Sequence, residues 1–367
     1  MRGNRMKTLS TAFFLFLLFD ISHVARAQET RWRTFSEEAI SLYKKGEYDK
    51  AVAAVKKSLA VAEKEYGPHH PDTATSLNNL AELYRDHKKF TQAEPLYKRA
   101  AAIREKHFGP NHSLLARTLN GQAELYRAQN RFGDAEPLYR RALAIREKSH
   151  RPDHPDVTQT LNNLAELYCV QERYAPAKAL YERLLPIREK VLGSDHPGLA
   201  AGLHNLALIH QNEGRHTQAE PIYKRVLAIR EKALGRNHPD VAQDLSILAE
   251  LYRTQGRYAL AQPLYERSLA IFEKAAGKHH LDVATILNNL AFIHHKQEQY
   301  AQAEPLYKRA LAICEKSLGA DHPTARITRD NLAGLRIAMD RHTPGDEAGQ
   351  QVAQSRFQWF SNIMGRP

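Results

Sequence analysis

Cysteine is nearly absent from this 367-residue chain. Cys169 and Cys314 stand 145 positions apart, so no disulfide framework holds the fold, even in an oxidising compartment. Each reads as a small, buried or half-buried hydrophobe. Also missing are the HExxH and GxSxG motifs and a phosphate-cradling glycine loop. Nothing assembles a nucleophile with a base, which argues against an enzyme and against a bound cofactor. Long apolar runs are missing too. The stretch from about Leu9 to Phe19 stops at Asp20 after about eleven residues, well short of the ~20 that a spanning helix needs.

That short run lies between Arg2, Arg5 and Lys7 on one side and Ala25-Arg26-Ala27 on the other. Charged, apolar, then small-x-small is the order of a secretory signal peptide. The expectation is a signal over residues 1–27, a mature chain starting at Gln28, and a periplasmic or secreted protein. A cytoplasmic location is the alternative if this segment is not a working signal. No cysteine lies nearby to carry a lipid. Cleavage lowers the formal charge from +12 to +9, so the basicity belongs to the folded part as well.

With 43% hydrophobic and 26% charged residues the composition is that of a soluble folded protein. A chain longer than ~250 to 300 residues must split into domains or stack units in one dimension. Stacking is written into the sequence. LNNLAELY occupies residues 77–84 and returns at 161–168, with LNGQAELY midway at 119–126. Alanine recurs every 42 residues at 39, 81, 123, 165, 207, 249, 291 and 333, and again at 51, 93, 135, 177, 219, 261 and 303. Such fixed register means that each unit meets its neighbour through the same geometry.

Leu77, Leu80, Ala81 and Tyr84 fall at i, i+3, i+4 and i+7, one face of a helix, here called helix A. After a polar turn, Ala93, Leu96, Tyr97, Ala100 and Ile103 repeat the pattern in a helix B. Glycine near its end, as in LGRNHPD at 234–240, suits a helix terminus, and Pro239 suits the next first turn. The proline of EPLY (Pro95, Pro137, Pro221, Pro263, Pro305) is expected in the first turn of helix B, whereas Pro186 should kink its helix. Gly121 and Gln122 break the pattern, glutamine standing where Leu80 and Leu164 stand.

Leu77-x2-Leu80-Ala81-x2-Tyr84 followed by Ala93-x3-Tyr97 resembles the tetratricopeptide repeat, with its tryptophan and glycine replaced. The 42-residue length and the AExLYxRALxIxEKxLGxxHP wording are similar to the kinesin-light-chain subtype, across about residues 31 to 338. The resemblance implies an all-α fold, a right-handed α-solenoid of stacked helix-turn-helix repeats. It would occupy residues 28–342 as seven helix pairs and a terminal helix. Residues 343–367 are expected to form a linker and a C-terminal tail or capping helix carrying Phe357, Trp359 and Phe360. A secretion signal on such repeats points to a bacterial envelope protein.

Histidine also recurs every 42 residues, at 70, 112, 154, 196, 238, 280 and 322. Successive repeats lie too far apart for these residues to share an ion, because packed helices are ~8 to 10 Å apart and zinc ligands lie near 2 Å from the metal. They are expected in interhelix turns, with no metal. Helix B repeats REK from 104, 146, 188 and 230 beside Lys98-Arg99, Arg140-Arg141, Lys224-Arg225 and Lys308-Arg309. A solvated outer face is the expectation. The alternative is a basic strip that docks the protein on an anionic surface.

Opposite the core stripe of helix A lie Thr75, Asn79, Glu82 and Asp86. In tetratricopeptide proteins this face lines a concave groove that holds an extended partner segment, and the resemblance implies the same here. One column reads Asn79, Asn163, Asn205, Asn289 and Asn331, interrupted at Gly121 and Ile247. The next reads Glu82, Glu124, Glu166 and Glu250, with Leu208, Phe292 and Gly334 replacing glutamate. Amides can pair with any peptide backbone, and carboxylates favour a neutral or basic segment. The expected function is a non-catalytic protein-interaction scaffold with no small-molecule substrate, nucleic acid being a poor fit. Self-association is compatible with both the groove and the ends of the stack.

Overall fold

The computed structural model describes residues 31–342, and all fifteen α-helices in them follow the 42-residue register. The chain divides between Val191 and Leu192 into two compact units. The first contains α1 (Arg31–Lys44), α2 (Tyr48–Glu65), α3 (Pro71–Asp86), α4 (Phe90–Phe108), α5 (Ser113–Ala128), α6 (Phe132–Ser149), α7 (Pro155–Val170) and α8 (Tyr174–Leu192), the last ending at the boundary. The second begins with a short 3-10 turn and contains α9 (Ala200–Asn212), α10 (His216–Leu234), α11 (Pro239–Thr254), α12 (Tyr258–Ala276), α13 (Leu281–Lys296), α14 (Tyr300–Leu318) and α15 (Pro323–His342). Within each unit, consecutive antiparallel pairs stack as an α-solenoid. The expected segments 1–27 and 343–367 lie outside the described residues. No described helix is long and apolar enough to cross a membrane.

The two alanine ladders are the reason the pairs close. Ala81, Ala123, Ala165, Ala207, Ala249 and Ala291 are fully buried on the A helices, and Ala93 to Ala303 on the B helices. A methyl group at these points lets two backbones approach, while Leu77 and its equivalents each contribute about 1.5 to 3 kcal/mol by burial. Tyr97, Tyr139, Tyr181, Tyr223, Tyr265 and Tyr307 fill the space beside them and are buried. The eighth rung, Ala333, is exposed, because no further described helix covers α15.

Helix B ends as its glycine dictates: Gly109 adopts φ +87 and its N–H donates to the Glu105 carbonyl at 2.9 Å. The EPLY proline needs a correction. Pro95 is the sixth residue of α4, one turn deeper than expected, where its missing N–H orphans the Thr91 carbonyl. Both Thr91 and Pro95 face solvent, so water can take the place of the lost bond. The same exposure holds at Pro137, Pro221, Pro263 and Pro305. Pro186 lies deep inside α8, which runs on through it to Leu192, with Pro186 and Glu182 both exposed.

Candidate functional site

The histidine ladder is a set of helix caps. In His70, His112, His154, His196, His238, His280 and His322 the ring Nδ1 accepts the backbone N–H two residues on, at 3.0 to 3.3 Å. Each thereby satisfies one orphan donor at a helix start, a role usually filled by serine, aspartate or asparagine. Position 150 adds a second histidine. His150 and His154 stack at 3.9 Å with planes 8° apart, and Asp156 lies close enough for the three to resemble a metal site. The capping bond argues otherwise: an Nδ1 that accepts leaves the ring proton on Nε2, and no ion can lie in both of two parallel ring planes. Phe108 stacks on His112 in the same way at 4.3 Å, so His150 serves as the platform for a cap.

The outer face differs from the expected solvated strip. Arg104 and Arg146, the first residues of two REK triplets, are each 1% exposed. Arg104 donates to the Leu114 carbonyl at 2.9 Å and the Thr118 hydroxyl at 2.6 Å, and Arg146 to the Asp156 carbonyl and the Thr160 hydroxyl. Each bolts a helix B to the next helix A. Burial pushes the Arg104 guanidinium down to about 9, with Arg117 adding to the effect and Glu82 opposing it. Several external basic residues are paired as well. Arg99 meets Glu63, Arg141 meets Glu105, Arg183 meets Glu147, Arg267 meets Glu231 and Arg309 meets Glu273, at 2.5 to 2.7 Å. Lys98, Arg140, Lys224 and Lys308 pair within their own helices at 2.7 to 2.9 Å. Such exposed pairs contribute ~0 to 1 kcal/mol each, and Lys106, Lys148 and Lys190 of the same triplets are exposed.

On the inner face of the first unit, the expected groove residues are spent on one another. Asn78, Asn120 and Asn162 donate to Glu82, Glu124 and Glu166 four residues on, at 2.7 to 2.9 Å. Across helices, Arg85 pairs with Glu124 at 2.5 Å, Arg127 with Glu166 at 3.4 Å and Arg117 with Glu82 at 3.6 Å. Asn163 donates to Glu124 at 2.8 Å. Burial would lower the Arg85 pKa, but Tyr97, Glu124, Asp86 and Glu82 more than offset it and hold it well above its usual value. Asn79 and Glu82 are only 6% and 3% exposed, so they are interior residues of the wall. Gly121 is a requirement of the same packing: a Cβ there would sit 2.9 Å from Tyr97 Cε1.

The second unit is different. Its inner face holds a recess of about 440 Å³ whose lining includes His204, Leu208, Ile247, Glu250, Tyr265 and Asn289. Three of these, Leu208, Glu250 and Asn289, belong to the expected groove set. Leu208 is 39% exposed within this recess. Glu250 is gripped by Arg253 of its own helix at 2.5 Å and accepts from the Tyr265 hydroxyl at 2.7 Å, which in turn accepts from Asn289 at 3.1 Å. Asn205 is half-buried on α9, outside the recess lining. Phe292 is covered by the Arg253 guanidinium, 4.8 Å from its ring centre, and Asn331 donates to Asn288 at 3.0 Å. Burial, with Arg230 adding, lowers the His204 pKa.

The repeat-family profile for the tetratricopeptide repeat matches residues 33–106, 88–148, 156–211, 199–274 and 282–344. The chain is a tetratricopeptide repeat protein. No curated protein matches it significantly. Its solved neighbours include repeats of kinesin-light-chain type. Nearly identical TPR-like repeats of a kinesin light chain from Podosopora anserina share 29% identity over 56% of this chain and 98% of that one, with a TM-score of 0.50. BtubC (BKLC) from P. vanneervenii shares 22% identity over 63% of this chain and 92% of its own, with a TM-score of 0.53. The C-terminal part of a repeat protein from Cytophaga hutchinsonii shares 15% over 81% and 98%, with a TM-score of 0.56. The last two likenesses concern the fold.

This tetratricopeptide repeat protein also has candidate site residues that the helix A columns do not capture. His204, Tyr223, Tyr265 and Phe272 line the recess, and two of them come from the tyrosine column of the core. The signal for them was a substitution in the repeat: Leu208 and Ile247 stand where other repeats carry glutamate and asparagine. Cys169 is half-buried and its thiol is pushed up to about 11 by burial, with Glu166 adding, which makes it a poor nucleophile.

Proposed function

We propose that this protein is an adaptor that holds an extended, neutral or basic segment of a partner protein along its inner face. The family is an interaction fold, generally non-catalytic. The observation that carries the finer reading is the recess of the second unit, where Leu208 and Ile247 lie among Tyr223, Tyr265 and Phe272 with a few polar groups around them. An exposed apolar floor ringed by a few polar groups is how proteins anchor a ligand. Docking on an anionic surface through the B helices has less support, because Arg99, Arg141, Arg267 and Arg309 are already in ion pairs. Export with a mature start at Gln28 is part of the proposal and is read from an intact mass of protein purified from its host. Retention of residues 1–27 on a soluble cytoplasmic form would refute it.

The test of the groove is a photo-crosslinking amino acid placed at position 208 and, separately, at the exposed outer position Lys148. The inner probe should yield a discrete protein adduct in native extract, mapping to one short sequence of the partner. Adducts at position 148 alone would reverse the assignment in favour of the outer face.

A further inference from the structure

In the first unit, neighbouring A helices are tied by links that span 39 residues, Arg85 to Glu124 and Arg127 to Glu166. The matching pair in the second unit is Gln211 and Glu250, and that tie is not made. Gln211 accepts instead from the Tyr223 hydroxyl at 2.9 Å, and Glu250 is taken by Arg253 of its own helix. One link further on, Arg253 meets Phe292 face-on at 4.8 Å. The recess therefore opens where a side-chain tie is missing, and Leu208 and Ile247 supply its apolar floor in place of glutamate and asparagine.

The polar part of the lining is equally one-sided. Its carboxylates are Glu250, which Arg253 already pairs, and Asp282, and neither lysine nor arginine is among the lining residues. The Asp282 side chain is 56% exposed at this face. The buried His204 Nδ1 has no hydrogen-bond partner. The recess thus combines an apolar floor with the exposed Asp282 carboxylate at its rim.

We propose that this recess is a subsite for a single bulky apolar side chain of the docked segment, and that the partner places a lysine or arginine beside that anchor. The inference rests on the adaptor reading above and specifies the chemistry of its ligand. Apolar burial would cover Leu208 and Ile247, and the cation would lie near Asp282, whose charge would repel an acidic flank.

The experiment pans a phage-displayed library of random dodecapeptides on the full chain and measures the enriched peptides by fluorescence polarisation. Comparison is with the double variant Leu208→Gln, Ile247→Asn, which puts polar residues where other repeats have them, and with Asp282→Lys. Circular dichroism confirms that each variant folds. The expected result is enrichment of peptides with one bulky apolar residue and a lysine or arginine within two positions. The double variant should bind them at least tenfold more weakly, and Asp282→Lys several-fold more weakly. Peptides that bind the double variant as tightly as the parent, yet crosslink to α9, α11 or α13, would overturn the socket while leaving the groove standing. Peptides that crosslink to none of these helices, or a selection that enriches nothing, would overturn both.

Discussion

Arg146 and Thr160 are joined by a hydrogen bond in a space closed to water, the guanidinium of one helix reaching the hydroxyl of the next. The nearest carboxylate, on Asp156, is 3.9 Å away. Arg146→Ala should destabilise the protein by about 2 to 4 kcal/mol, because it removes two charge-assisted hydrogen bonds that a buried guanidinium makes to the next helix and leaves a cavity. Lys148→Ala, two residues along but exposed, should change stability by less than about 0.5 kcal/mol. Urea unfolding of the two variants measures the difference, and equal losses would mean that Arg146 does not act as a bolt.

Gly121→Ala should cost about 1 to 3 kcal/mol, since its methyl group would meet the buried Tyr97 ring at 2.9 Å. Tyr97→Leu should be destabilising alone and should recover part of the Gly121→Ala loss in the double variant. A double-mutant cycle followed by thermal unfolding tests this coupling. Strict additivity would place the two residues out of contact.

His238→Ala should cost about 0.5 to 2 kcal/mol by uncapping α11. His238→Asp should restore the acceptor and remain within about 0.5 kcal/mol of the parent, because aspartate is a preferred cap and its charge suits a helix start. A loss with aspartate as large as with alanine would show that the imidazole packs rather than caps.

Stability should respond to acid in two opposing windows. Burial pushes the Asp244 carboxyl up to about 6 from 3.8, against the pull of Arg230. Its favourable contribution is complete below about pH 4 and is lost as pH rises through about 6. Hydrogen bonds from Lys224 and Arg257 pull Glu220 down to about 2, so its contribution is present above about 4.5 and lost as pH falls towards 2. Asp244→Asn should therefore flatten the decline between pH 4 and 7 and leave the acid loss below pH 4 unchanged. Urea midpoints measured across this range would detect a persisting decline in the variant.

The fold was legible because Ala81, Tyr97 and their equivalents obey a helical period at a fixed 42-residue spacing, and apolar periodicity records burial directly. The arginines were not. A charged residue at Arg104 reads as solvated unless its partners are known, and those partners, the Leu114 carbonyl and Thr118, carry no charge to betray them. At Asn79 and Glu82 the inner columns misled for a geometric reason. A residue opposite one stripe of a free helix faces water, but an A helix in a stack is also covered by the A helices before and after it, so Asn79 and Glu82 end up inside. What the columns did mark was the exception at Leu208 and Ile247, where the recess opens.

The bolts and ties between repeats also bear on how the chain acquires its structure. Arg146 reaches Thr160 across fourteen residues, Arg85 reaches Glu124 across 39, and Trp32 reaches Ser76 across 44. All of them end in the same or the adjacent pair. Closing such short loops costs little entropy, so no distant strand of chain must be found before a pair becomes stable. Any central pair can therefore serve as a nucleus from which neighbours are added outward, one joint at a time, and lengthening the array should leave the speed of each step unaltered.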